Sequence, residues 1–192
     1  MKRFVFISLL SVLFAFSSTA QEKPMWIGGT LNVSSQTVND NTTSNTTIMP
    51  EFGYHLNDSW AVGGRMGFSF ARQDMADGTE KNNTFSIVPF ARYTFAKVKK
   101  FRIFGQGELP LRFYSGEFAD GSSMDNTNAI GLNVRPGLTY AFNEKWGFNM
   151  LMPPVFSFVS GDDYSAVEFG VNDGYTLQNY LLNTSIGFIY KF

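Results

Sequence analysis

The sequence predicts an all-β fold, a single eight-stranded antiparallel up-and-down barrel. Three observations carry this. Apolar and polar residues alternate with a period of two along nearly the whole chain after residue 20. Aromatic residues make up 17% of the chain, 21 of them Phe, yet mean hydropathy is only −0.09; the aromatics are therefore diluted by polar neighbours, as on strands with one oily and one wet face. The segments between the strands alternate in length, short then long.

The first 20 residues read as an export signal outside the domain. Lys2 and Arg3 form a positive start, residues 4–16 an apolar run, and Ser18-Thr19-Ala20 a small-residue cleavage site. The run is shorter than the ~20 apolar residues a spanning helix needs. Cleavage after Ala20 leaves residues 21–192 as the barrel domain. The sequence contains no cysteine, which excludes disulfides, thiolate metal sites, a thiol nucleophile and a lipid-bearing Cys. A net charge of −1 gives no footprint for nucleic acid.

The strands follow in order. The first, 25–36, sets Ile27, Leu31 and Val33 against Thr30, Asn32 and Ser34. The second, 47–56, sets Ile48, Phe52 and Tyr54 against Glu51, Gly53 and His55. The third, 59–70, sets Trp60, Val62, Met66, Phe68 and Phe70 against Arg65, Gly67 and Ser69. The fourth, 84–95, sets Phe85, Ile87, Tyr93 and Phe95 against Ser86, Arg92 and Thr94. The fifth, 101–114, sets Phe101, Ile103, Leu111 and Phe113 against Arg102, Gln106, Glu108 and Arg112. The sixth, 128–142, sets Ile130, Leu132, Val134, Leu138 and Tyr140 against Asn133, Arg135 and Thr139. The seventh, 146–159, keeps Trp146, Phe148, Met150, Met152, Phe156 and Phe158 in one register. The eighth, 178–192, sets Ile186, Phe188, Tyr190 and Phe192 against Ser185, Gly187 and Lys191.

Residues 57–58, 96–100 and 143–145 are short connections; residues 37–46, 71–83, 115–127 and 160–177 are long and polar. Strict alternation places every long segment at one end, the pattern of a transmembrane barrel with short periplasmic turns and long extracellular loops. Alternation alone leaves open which face is inside, and a soluble lipocalin-like ligand carrier is the rival. The charges favour the membrane: Glu51, Arg65, Arg92, Arg102, Glu108, Arg112 and Arg135 all share the polar parity. Arginine at the lipid midplane costs about 2–4 kcal/mol, so these seven are expected to form a charge network in the barrel interior. Bulky residues on the other face suit lipid. Trp60, Tyr93, Tyr140, Phe142, Trp146, Tyr190 and Phe192 beside the short turns suit an interfacial girdle.

The C-terminal run Ile186-Gly187-Phe188-Ile189-Tyr190-Lys191-Phe192 alternates aromatics and ends on Phe. With this ending, residues 21–192 resemble the small eight-stranded outer-membrane barrels of the OmpA/OmpX type. The resemblance implies a filled interior with an ion-pair network and no wide pore. It also implies Phe188, Tyr190 and Phe192 as the signal read by the barrel-assembly machinery. Against a regular barrel stand Pro50, Pro89, Pro110, Pro136, Pro153 and Pro154 inside strands. Proline cannot donate to a ladder, so bulges are expected there, above all at Pro153-Pro154, with an inverted parity beyond.

No residue set points to catalysis, a metal or a cofactor. His55, the lone histidine, sits at the short-turn end, away from the outer leaflet where a lipid-modifying barrel would work. Gly105-Gln106-Gly107 has no helix after it to cradle phosphate. The long loops are acidic, and residues 160–177 carry Tyr164, Val167, Phe169, Val171 and Tyr175, more apolar than a linker needs. The expected function is thus structural or surface-interacting. The expected partners are outer-membrane lipid, the assembly machinery and an extracellular partner at 115–127 and 160–177. An envelope-lipid enzyme and a narrow channel are the alternatives.

Overall fold

The computed structural model describes residues 25–38, 41–75, 78–162, 164–170 and 184–192. The export signal over 1–20, residues 171–177 of the last long segment and residues 178–183 of the expected eighth strand lie outside them.

Eleven β elements build an eight-stranded barrel wall: β1 (Met25–Val38), β2 (Asn41–His55), β3 (Trp60–Met75), β4 (Gly78–Val98), β5 (Phe101–Glu108), β6 (Leu111–Glu117), β7 (Thr127–Ala141), β8 (Trp146–Leu151), β9 (Phe156–Gly161), β10 (Ser165–Phe169) and β11 (Ser185–Lys191). β5 and β6 are halves of one stave, β8 and β9 of another, and β10 and β11 share the eighth. All pairings are antiparallel between neighbours, and β1 closes onto β11. The first and last described residues meet at the short-turn end, where the Phe192 amide donates to the Met25 carbonyl, 3.0 Å.

The wall faces as the arginine parity requires. Leu31, Val33, Phe68 and Phe188 are each more than half exposed on the outside, whereas Arg65, Arg92, Glu108 and Gln106 are buried within. An apolar belt of this extent is far beyond what a water-soluble monomer exposes. At the short-turn end the outward aromatics pair across strands: Trp60 with Tyr93 (4.9 Å between ring centroids), Phe101 with Tyr140 (4.7 Å) and Trp146 with Tyr190 (4.9 Å). Two of the short turns are copies. Asn57 Oδ1 accepts from the Ser59 and Trp60 amides, and Asn143 Oδ1 accepts from the Lys145 and Trp146 amides, at 2.8–2.9 Å. Each Asn thereby satisfies donors that the tight reversal leaves without backbone acceptors.

The structure corrects three expectations. Residues 37–46 and 71–83 are mostly not loops: pairing continues to Val38↔Asn41 and to Met75↔Gly78. Thr, Ser and Asn over 37–46, and mixed charged and amide residues over 71–83, are polar on both faces, which suits a ladder with water on both sides but hides the period-two signal. Within 160–177, Ser165–Phe169 is also strand, paired with β9 so that Val167 and Phe169 stand opposite Phe158 and Phe156. Its outward pair supplies wall rather than loop.

The third correction concerns the prolines. Consecutive residues of an antiparallel strand direct their backbone groups to opposite neighbours, so one proline costs one donor on one side. Pro89, Pro110 and Pro136 still accept, from the Leu109, Gly131 and Met152 amides (3.0, 2.8 and 3.0 Å). Across Pro89, Pro110 and Pro136 the register of β4 and β7 is the same against β5 as against β6, and Pro50 likewise stays in register with Gly29; the shift between β4 and β5 falls between Thr94 and Ala96, at no proline. Pro153-Pro154 removes donors on both sides at once, and here the chain does bulge. Between Gly137↔Leu151 and Val134↔Phe156, Arg135 and Pro136 face the four residues Met152 to Val155. The excess is two, so parity is kept instead of inverted: Phe156 and Phe158 stand opposite outward Val134 and Leu132, and Ser157 Oγ donates inward to Asn133 Oδ1, 2.9 Å.

The three buried aromatics among the described residues point inward, and each lies over a glycine directly across the ladder: Trp26 on Gly53, Phe90 on Gly63 and Phe104 on Gly137. A Cβ at Gly53 would overlap the Trp26 indole, whereas one at outward Gly64 would meet nothing within 4 Å. Gly53→Val is therefore expected to lose about 1–3 kcal/mol, the usual cost of overpacking, and Gly64→Val to remain close to the parent. Equilibrium urea unfolding in detergent micelles measures both; equal losses would refute the seating of Trp26 on Gly53.

Candidate functional site

One hydrogen-bonded network crosses the lumen at mid-height, assembled because even-numbered residues of β1, of β4 up to Thr94 and of β5, and odd-numbered residues of β2, β3, β7 and β8, point inward. Glu51 Oε1 accepts from Trp26 Nε1 (2.8 Å), Asn149 Nδ2 (3.2 Å) and Arg92 Nη2 (3.3 Å). Arg92 Nε donates to Gln106 Oε1 (2.8 Å), whose Nε2 donates to Glu108 Oε1 (2.8 Å). The same Glu108 oxygen takes Arg65 Nη2 at 2.6 Å. Thr139 Oγ1 extends the set by donating to Asn149 Oδ1, 2.6 Å.

Charge balances within this plug: Glu51 pairs with Arg92 and Glu108 with Arg65. The Arg92 guanidinium is also stacked, 4.1 Å from the Phe104 ring centroid and 5.3 Å from those of Trp26 and Phe90. Ring faces and a carboxylate replace water for a cation held in a low-dielectric interior.

The remaining sequence-predicted charges lie above and below. Arg135 Nη1 is 4.0 Å from Glu108 Oε2, while its Nε donates to the Met152 carbonyl (2.7 Å) and its Nη2 to that of Leu151 (3.4 Å). It thus caps carbonyls at the edge of the Pro153-Pro154 bulge. Arg112 lines an inner cavity on the long-loop side, together with Arg65 and Arg135. Arg102 lines the opposite vestibule with His55 and Lys191. Four of the seven residues, Glu51, Arg65, Arg92 and Glu108, are drawn into the plug, Arg135 reaches its edge, and Arg102 and Arg112 do not join it. Phe188, Tyr190 and Phe192 are on the outer face or outer end of β11, with Tyr190 against Trp146.

His55 packs its ring on Trp26, 4.8 Å between centroids, at the short-turn end of the lumen. Among the described residues no group of three or more His, Cys, Asp or Glu is placed to hold a metal. Sequence reasoning left out Trp26, Phe90, Phe104 and Asn149 as members of the site. The signal that could have found them is parity: each aromatic falls on the polar phase of its strand, opposite a glycine.

With this geometry, the comparisons with known proteins decide the family. The family model for the outer membrane protein beta-barrel domain matches residues 6–176. The chain belongs to that family. It is an outer-membrane β-barrel protein of bacteria. Its fold is similar to the crystal structure of Neisserial surface protein A (NspA), at TM-score 0.50 and 16% identity, over 88% of this chain and 97% of that one. No curated protein matches it.

In this family member the plug is a test of buried electrostatics. Glu108→Gln leaves Arg65 without its carboxylate and is expected to lose about 3–5 kcal/mol. Replacing both residues by apolar ones of similar volume, Arg65→Met with Glu108→Leu, should recover most of that loss. Urea unfolding of the refolded barrels measures the difference, and an unchanged midpoint for Glu108→Gln would show the pair to be energetically idle.

Proposed function

We propose that the protein is exported by its first 20 residues, cut after Ala20, and serves the envelope as a closed, non-conducting and non-catalytic barrel that presents its long-loop end to partners outside the cell. The observation that carries this reading is the plug, which joins inward side chains of β1, β2, β3, β4, β5, β7 and β8 across the lumen. An eight-stranded barrel has an interior only wide enough for side chains, and here charge-assisted bonds hold them in place.

The outer end supports a role in contact. The 115–127 connection is ordered: the Phe118 amide donates to the Ser122 carbonyl (2.8 Å) and the Met124 amide to the Gly116 carbonyl (2.9 Å). The Ser122 hydroxyl and amide hold the Asp120 carboxyl below the usual carboxylate range. Phe118 is half exposed on this reversal. An ordered, part-apolar tip costs little conformational entropy to bind.

Planar-bilayer recording of the refolded mature barrel is expected to show no discrete conductance steps; regular unitary steps at modest voltage would sink the closed-barrel reading. The C-terminal aromatics give a second test. Deleting Phe192 is expected to lower outer-membrane insertion in cells several-fold while leaving refolding into detergent nearly unchanged. The heat-sensitive gel mobility of the folded form reads both, and equal loss in cells and in detergent would assign Phe192 to the wall alone. N-terminal sequencing of the membrane-inserted protein is expected to begin at Gln21.

A further inference from the structure

We propose that the cavity above the plug, on the long-loop side of the lumen, is a binding site for a phosphate-type oxyanion. The cavity encloses about 500 Å³. Among the described residues, three guanidinium groups line it, those of Arg65, Arg112 and Arg135, against the carboxylate of Glu108. Arg65 is paired with that carboxylate, and Arg112 has no carboxylate of its own among the described lining residues, inside a wall whose outer face meets hydrocarbon.

The hydrogen-bonding groups point the same way. Arg65 Nε is buried with no acceptor, although the side chain is only 6% exposed. Arg112 makes no hydrogen bond or ion pair among the described residues. Arg135 directs its Nε and Nη2 to the Met152 and Leu151 carbonyls, with its Nη1 4.0 Å from Glu108 Oε2. The neutral lining adds donors: the side-chain oxygens of Asn45 and Asn133 are occupied by Ser69 and Ser157, so their amide nitrogens remain to donate. The cavity is rich in donors and poor in acceptors.

A tetrahedral oxyanion fits this better than chloride does. It presents several acceptors at once and takes planar guanidinium groups in bidentate fashion. The phosphate could be free in solution or belong to a lipid headgroup; the chemistry recognised is the same. The site shares Arg65 and Glu108 with the plug, whereas Arg112 takes no part in the plug and belongs to the site alone.

The test uses the mature barrel refolded without lipid in a nonionic detergent, with folding verified by heat-sensitive gel mobility. Inorganic phosphate is titrated at constant ionic strength against chloride, reading the phosphorus NMR linewidth and the thermal midpoint. Binding is expected in the parent, at least tenfold weaker in Arg112→Gln, and unchanged in Arg102→Gln on the far side of the plug. In a second arm, micelles doped with phosphatidic acid replace inorganic phosphate. A response to inorganic phosphate identifies a free anion, and a response to the doped micelles alone identifies a lipid phosphate. The proposal fails if neither probe binds, or if Arg112→Gln and Arg102→Gln weaken binding equally, which would mark a diffuse charge effect.

Discussion

A guanidinium facing hydrocarbon costs several kcal/mol, and the same group turned into the lumen can be paired. That difference orients the whole molecule. Once Arg65, Arg92, Arg112 and Arg135 are fixed inward, the period of the strand forces Leu31, Phe68, Ile130 and Phe188 outward, and the wall acquires its lipid face with no further instruction. The arginines create the next constraint themselves. Two of them are neutralised by Glu51 and Glu108, and the bonds that do so run from stave to stave, so spanning the lumen and closing the barrel wall are parts of one arrangement.

The interior also needs volume. Small residues on the inward phase leave room at mid-height, and Trp26, Phe90 and Phe104 fill it, each over a glycine of the adjacent strand. Their rings then become the immediate environment of Arg92. Steric fit and charge stabilisation are thus supplied by the same three side chains. Register is set by them too, because a slip of one position would put Cβ atoms where the rings lie.

How much of this could be read in the sequence follows from where residue types are unambiguous. Charged residues within the membrane span are, since nothing but the lumen can take them, and their common phase distinguishes the faces, while the alternation of short and long connections sets the eight-strand count. Outside the span, polar residues are not: the Thr, Ser and Asn of 37–46 and the mixed charges and amides of 71–83 sit equally well on either side of a ladder in water, so strand and loop look alike. Aromatics are ambiguous in another way. Trp26 by composition alone belongs at the interface, and only its phase and its partner Gly53 place it inside. Single prolines were misleading because a strand interior keeps a carbonyl to offer even where the amide is gone. Which of the seven charges pair with each other depends on strand staggering, and no local pattern contains that information.

The double-proline bulge bears on how such a wall can change in length over evolution. A stave separates two solvents of opposite character, and adding or removing one residue exchanges them for everything downstream. The four residues that stand against Arg135 and Pro136 show the permitted alternative: an even surplus, looped out, with its stranded carbonyls bridged by a neighbouring side chain. Insertions and deletions tolerated within the membrane span of relatives should therefore come in twos, while odd ones are confined to the extramembrane ends.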